Sequence, residues 1–125
     1  MLQVAGGWSL HVERGPDWLF VRVVGRPETP EADASLAELL WSLLQQHFTW
    51  RLVLECDQLG PLSSALVGQL VLLHKRIASN SGLMRLCGLS DMDYQVLSTM
   101  RLDGRFPRFR DRVEAVLGYR PRQPR

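Results

Sequence analysis

The short run Leu52-Val53-Leu54 leaves this chain few options. Three consecutive apolar side chains with no polar alternation suit a strand buried on both faces, as in a parallel sheet with helices packed against it. The run ends at Glu55, Cys56 and Asp57, and Gly60-Pro61 then interrupts the backbone. From Ser63 or Ser64 to Ser79 the spacing predicts a helix, with Leu66, Leu70, Leu73 and Ile77 on one face and Val67, Val71 and Leu72 widening it. A buried strand that feeds an apolar-faced helix points to an α/β sheet whose later crossovers run in parallel. At 125 residues the chain has room for one such domain and one core.

The remaining segments fit the same plan. Trp8, Leu10 and Val12 alternate with Ser9, His11 and Glu13, a strand with one buried face. Gly15-Pro16-Asp17 turns the chain into a second strand over Trp18 to Val24, which predicts a hairpin. Pro27 and Pro30 exclude regular pairing, so a loop leads to a helix carrying Leu36, Leu39, Leu40, Leu43, Leu44 and His47 at helical spacing. Asn80, Ser81 and Gly82 end the long helix, and Leu83 to Cys87 reads as another inner strand. Ser90 with Asp93 resembles a capping box and opens a third helix through Met100. Phe106 offers a short last strand segment, and Phe109, Val113, Val116 and Leu117 predict a final amphipathic helix closed by Gly118. The expected fold is α/β, a mixed sheet of four to five strands with about four packed helices, in a single domain over residues 1–118. Residues 119–125, with three arginines and two prolines, read as a basic mobile tail.

Composition narrows the function classes. A hydrophobic fraction of 46% with 22% charged residues is ordinary for a globular domain and argues against disorder. Fifteen basic against thirteen acidic residues leave a formal charge of +2, which advertises neither nucleic acid nor an anionic membrane. The longest apolar stretch, Ala65 to Leu73, is broken by Gly68 and Gln69, so no membrane insertion is expected. The N-terminus lacks the pattern of a signal peptide, and the cytoplasm is the expected location. His11, His47 and His74 lack metal-ligand spacing, His47 being suited to cap its helix, and Cys56 and Cys87 read as buried reduced thiols. There is no nucleophile elbow, phosphate-binding loop or dinucleotide fingerprint, so neither catalytic residues nor a cofactor are expected and the chain is not read as an enzyme. Trp8, Trp18, Trp41 and Trp50 are not interleaved with arginines and read as packing residues. Arg101, Arg105, Arg108, Arg110 and Arg112 mix with Asp103, Asp111 and Glu114, the pattern of a solvated face.

The informative stretch is Leu54 to Leu70, where a buried strand delivers Ser63 and Ser64 to the start of a buried helix. Amides in a first helical turn lack intrahelical partners, and the helix dipole favours an anion such as phosphate there. On local physics alone the simpler reading is an N-cap.

This stretch resembles the STAS domain family of bacterial anti-sigma factor antagonists, in which an acidic strand end precedes Asp-Ser-Ser-Gly-Leu-Gly at the start of a long apolar helix. His74-Lys75-Arg76 matches the basic end of that helix, Leu83 to Ser90 the next strand and cap, and Met100 to Asp103 with Phe106 the closing turn, so the resemblance spans most of Trp8 to Gly118. It implies a STAS-like mixed sheet and a protein that binds other proteins, with an anti-sigma factor or serine kinase-like partner and a serine whose phosphorylation breaks the pairing. Aligning Gly68 and His74 makes Ser64 the phosphoacceptor, with Ser63, Ala65 and Leu66 replacing the family's Asp, second Ser and first Gly. The other register makes Ser63 the acceptor, with Leu62 at the Asp position. The partner surface implied comprises the loop from Gly25 to Thr29, with Gly25, Arg26, Pro27 and Glu28, together with Ser63, Ser64 and Val67. The alternatives are a constitutive STAS scaffold subunit of a signalling or lipid-transport assembly, in which the serines are only caps, and a subunit that associates with a small ligand or lipid.

Overall fold

The alternation at Trp8, Leu10 and Val12 places all three side chains in the core, at no more than 5% exposure, while His11 and Glu13 face water. Strand by strand the chain then follows the order implied by its periodicities. The computed structural model describes residues 2–26 and 34–118. Its elements are β1 (Leu2–Ala5), β2 (Trp8–Arg14), β3 (Leu19–Gly25), α1 (Leu36–Gln46), β4 (Arg51–Glu55), α2 (Ser64–Ser79), β5 (Leu83–Cys87), α3 (Asp91–Thr99) and α4 (Arg112–Leu117).

The five strands form one sheet in the order β1-β2-β3-β4-β5. The pairs β1–β2 and β2–β3 are antiparallel, whereas β3–β4 and β4–β5 are parallel. This is the expected mixed α/β sheet. The strand β1 is an addition: Leu2 pairs with His11 and Ala5 with Trp8, across a turn in which Gly6 and Gly7 both have positive φ. A Gly-Gly pair before an alternating run is itself a hairpin signal, and its flank of only a few residues hid it. The β2–β3 hairpin closes through Gly15 N–H donating to the Trp18 carbonyl at 2.8 Å.

Two expectations are corrected at the C-terminal side. The strand β5, expected inside the sheet, lies at its edge, and among the described residues only an isolated bridge from Cys87 to Phe109 lies beyond it. Phe106, expected in a strand segment, is instead a buried core side chain at 1% exposure, and Phe109 makes the bridge. The last helix also presents the opposite face from the one expected. Glu114 and Ala115 are buried, while Val113, Val116 and Leu117 are 63%, 37% and 47% exposed. Hydrophobic spacing misleads here because Arg112 and Glu114 are drawn inward by ion pairs.

The two faces of the sheet are covered unequally. One face, with Leu10, Val21, Leu52, Leu54 and Leu86, packs with side chains of α1, α2 and α3 into the main core. Buried Leu70, Leu73 and Ile77 of α2 belong to it, as the helical spacing predicted. The other face carries a smaller cluster of Trp18, Val53, Cys87, Phe109 and Ala115, with Phe20 packed against it. Among the described residues no helix is long and apolar enough to cross a membrane.

Candidate functional site

The parallel strands β4 and β5 end side by side, and the loops that leave them shape the site. Cys56 N–H donates to the Cys87 carbonyl at 2.8 Å, which carries the pairing one residue past β4. Gly88 then turns away with φ +75°, and a side-chain carbon at this position would lie 3.2 Å from both N and Cβ of Asp57. Only glycine meets both demands without strain. Between these loops and the start of α3 lies a cleft of about 310 Å³, whose lining includes Cys56, Asp57, Gly88, Ser90, Met92 and Asp93.

The loop from β4 to α2 is fastened from both sides. Arg26, just after β3, donates through a guanidinium nitrogen to the Pro61 carbonyl at 2.6 Å. Leu62 N–H donates to Asp93 Oδ1 at 3.1 Å. The cap at α3 therefore departs from a reciprocal capping box: Ser90 Oγ accepts from Asp93 N–H at 3.1 Å, but the Asp93 carboxylate reaches across to the neighbouring loop. Asp93 is 8% exposed and thus spends its charge inside the site's wall.

The two serines have separate roles. Ser63 has extended backbone and is the N-cap of α2, its Oγ accepting from Leu66 N–H at 3.1 Å while its carbonyl accepts from Val67 N–H at 2.9 Å. Ser64 is the first helical residue and is exposed. No acidic residue stands in the first turn of α2, so no carboxylate of that turn offsets the positive end of the helix dipole. Gly25 and Arg26 are half-buried at the end of β3, and Arg26 reaches the loop that carries the serines. Pro27 and Glu28 lie outside the described residues. Val67, expected on the partner-facing surface, is buried at 1% exposure, because it extends the apolar face of α2 into the core.

On the far side of Asp57 and Gly88 lies a second cleft of about 250 Å³, and here charge dominates. Glu55 is only 3% exposed; Arg22 approaches its Oε2 at 3.2 Å and Arg112 Nε donates to its Oε1 at 2.6 Å. Arg22 also donates to Asp57 Oδ1 at 3.0 Å, and Arg112 to Glu13 Oε2 at 2.8 Å. Arg112 is held above the ordinary arginine range, chiefly by its hydrogen bond to Glu55. Glu13 is held below the usual carboxylate range, chiefly by its hydrogen bond from Arg112. The arginine-rich C-terminal segment, read from sequence as a solvated face, therefore includes a cation bound to a buried carboxylate. Only the long-range pairing of positions 55 and 112 creates this site, and no local pattern announces it.

The thiols bordering the two clefts are buried and held in the protonated form. Burial pushes Cys56 well above the usual thiol range, and burial again is the main cause raising Cys87 to about 12. Among the described residues no cluster of His, Cys, Asp and Glu is gathered as a metal site.

The STAS domain family model matches residues 12–116. No curated protein matches the sequence. Among solved structures, an anti-sigma factor antagonist from Mycobacterium paratuberculosis is similar at 16% identity and TM-score 0.71, covering 95% of this chain and 100% of that one. TM1081 from Thermotoga maritima is similar at 18% identity and TM-score 0.70, covering 90% and 95% of the two chains. The anti-sigma factor antagonist SpoIIAA, solved in its unphosphorylated form, is similar at 14% identity and TM-score 0.68, covering 90% and 99%. At these identities the likeness is one of fold.

Proposed function

Because the chain belongs to the STAS domain family, we propose that it acts as a cytoplasmic protein-binding regulator of the anti-sigma factor antagonist kind, switched by phosphorylation of Ser64. Its surface is centred on the start of α2, and its partner is an anti-sigma factor or a serine kinase-like protein. One observation carries this reading: the neighbouring serines divide their duties, Ser63 capping the helix while Ser64 stands exposed at its first turn. A phosphate on Ser64 adds about −1.5 to −2 charges at neutral pH, and the helix end tolerates it. On the partner side the same anion is desolvated against the docking surface, which weakens binding. The structural neighbour SpoIIAA, an anti-sigma factor antagonist, is described in its unphosphorylated form, which supports the idea of such a switch.

A second reading, a constitutive binding subunit, draws on Leu66. It stands where the resemblance places a glycine, and its side chain is buried in the main core, which ties the first turn of α2 to the sheet. Affinity capture from the native cell followed by phosphosite mapping and binding titration decides between the two. The switch predicts modification at Ser64, weaker binding by Ser64→Asp and retained binding by Ser64→Ala. Modification at Ser63 alone overturns the assignment, and equal affinity of all forms without modification establishes the constitutive subunit.

A further inference from the structure

Arg112 sits in a socket built by three other elements. Its guanidinium donates to Glu55 on β4 at 2.6 Å and to Glu13 on β2 at 2.8 Å, and its central carbon lies 4.3 Å from the centroid of the Phe20 ring on β3. Two carboxylates with an aromatic face beside them match a planar, forked cation and suit an ammonium group poorly. Glu55 is buried, and Arg22 holds its other oxygen, so the socket is formed by the sheet itself.

Besides Arg112, the helix buries Ala115 in the smaller cluster and Glu114, whose carboxylate accepts from Arg110 N–H at 2.8 Å and Arg110 Nε at 3.1 Å in the segment just before it. Of the apolar side chains on α4 only Ala115 is buried, and Val113, Val116 and Leu117 face outward. The other end of α4 is held by Arg85, which donates to the carbonyls of Ala115 at 2.9 Å and Val116 at 3.3 Å. Gly118 closes the helix with φ +79°, and a side-chain carbon there would lie 3.1 Å from the same Arg85 nitrogen. The segment before α4 is fixed independently, through the buried Phe109 and its bridge to Cys87. The helix thus has a firm base and two charged clasps.

We infer that α4 is a detachable latch, and that the socket beneath it is an interaction site for an arginine of a protein partner, occupied in the closed molecule by the chain's own Arg112. Release of α4 leaves the carboxylates of Glu13 and Glu55 without that cation, beside Asp57 and the Phe20 ring, so charge and shape both select an arginine. The cleft under α4 shares Asp57 and Gly88 with the cleft between the β4 and β5 loops, so one partner segment reaches both. The inference does not depend on modification of Ser64.

Native-state hydrogen exchange on the full chain tests the latch. The amides of Ala115 and Gly118, bonded to the Asp111 and Glu114 carbonyls, are expected to exchange at least roughly 10–100-fold faster in Arg112→Ala, the factor that either of its two charge-assisted hydrogen bonds alone would give. Amides of β4 are expected to keep their protection. Gly118→Ala, which loosens the other clasp, is expected to give the same local acceleration. Unchanged exchange in both variants overturns the latch, as does acceleration of α4 and β4 together or failure of both variants to fold, since α4 is then part of the cooperative core. Titration of Arg112→Ala with ethylguanidinium tests the socket: saturable NMR shifts at the Glu13 and Glu55 carboxyl carbons and the Phe20 ring are expected, with weaker shifts from ethylammonium and none in the wild-type chain. No saturable shift, or equal shifts from the two cations, overturns the arginine site.

Discussion

Leu54 and Glu55 are neighbours on β4 and point to opposite faces of one sheet, at 0% and 3% exposure. Leu54 is enclosed in the main apolar core, where stability comes from area removed from water and needs no charged partner. Glu55 is enclosed by two guanidiniums, one of them presented by a six-residue helix. Coulomb attraction there offsets the desolvation of a carboxylate, and net stabilisation depends on keeping every partner in place. Equal burial therefore conceals unequal permanence: the apolar face opens with global unfolding, while the charged face opens piecemeal.

The comparison breaks most visibly at Leu70. This residue is 0% exposed in the main core, and Leu70→Asp places an unpaired carboxylate there at a cost of several kcal/mol against a total stability of about 5–15 kcal/mol. The variant is expected to lose its cooperative thermal transition in circular dichroism. On the opposite face Phe109→Ala removes the anchor of the smaller cluster and is expected to cost about 3 kcal/mol, read as a lower urea midpoint with the transition still cooperative. If the two variants are equally damaging, the faces are one energetic unit.

A smaller effect separates the adjacent serines. Ser63→Ala deletes the cap of α2 and is expected to cost about 0.5–2 kcal/mol in urea titration, whereas Ser64→Ala should stay within about 0.5 kcal/mol. Reversed costs would exchange their roles. The smallest effect concerns His74 on α2, whose Nδ1 lies 3.1 Å from a nitrogen of Arg105. Arginine can only donate, so the ring accepts and is neutral. Burial, and after it the Arg105 charge, holds the His74 pKa below the usual imidazole range. The folded value lies below the unfolded one, so this contribution is present above about pH 6.5 and is lost as pH falls through the folded pKa. The melting temperature is expected to fall across that window by less in His74→Gln than in wild type; parallel curves would remove His74 as the titrating group.

Much of the fold was legible because periodicity reports which side of an element meets apolar neighbours. The hairpin, α1, the buried β4 and the apolar face of α2 all follow from that rule. The helix ends were less legible. Phe48, Ser81 and Arg101, each just beyond a helix cap, adopt positive φ of 53°, 61° and 59°, where glycine is the usual residue. Neither Phe48 nor Arg101 signals such a turn by its type. At the site, the resemblance led to Ser63 and Ser64, and local spacing identified Ser90 and Asp93 as a cap. The destination of the Asp93 carboxylate was hidden, because the Leu62 amide is 31 residues away. The socket was hidden for the same reason: its members come from β2, β3, β4 and α4, and only the tertiary structure makes them neighbours.

In this sheet each strand pairs with the strand that precedes it in the chain. During synthesis from the N-terminus, every new strand therefore finds its partner already made, with only a turn or one helix of chain to close between them. The pairs of Arg112 with Glu13 and Glu55, 99 and 57 residues apart, span far more of the chain. They wait for α4 to emerge, by which time all five described strands have been made. The walls of the guanidinium socket, on β2, β3 and β4, are thus all present in the chain before the residue that fills it, so Arg112 closes a site whose parts precede it.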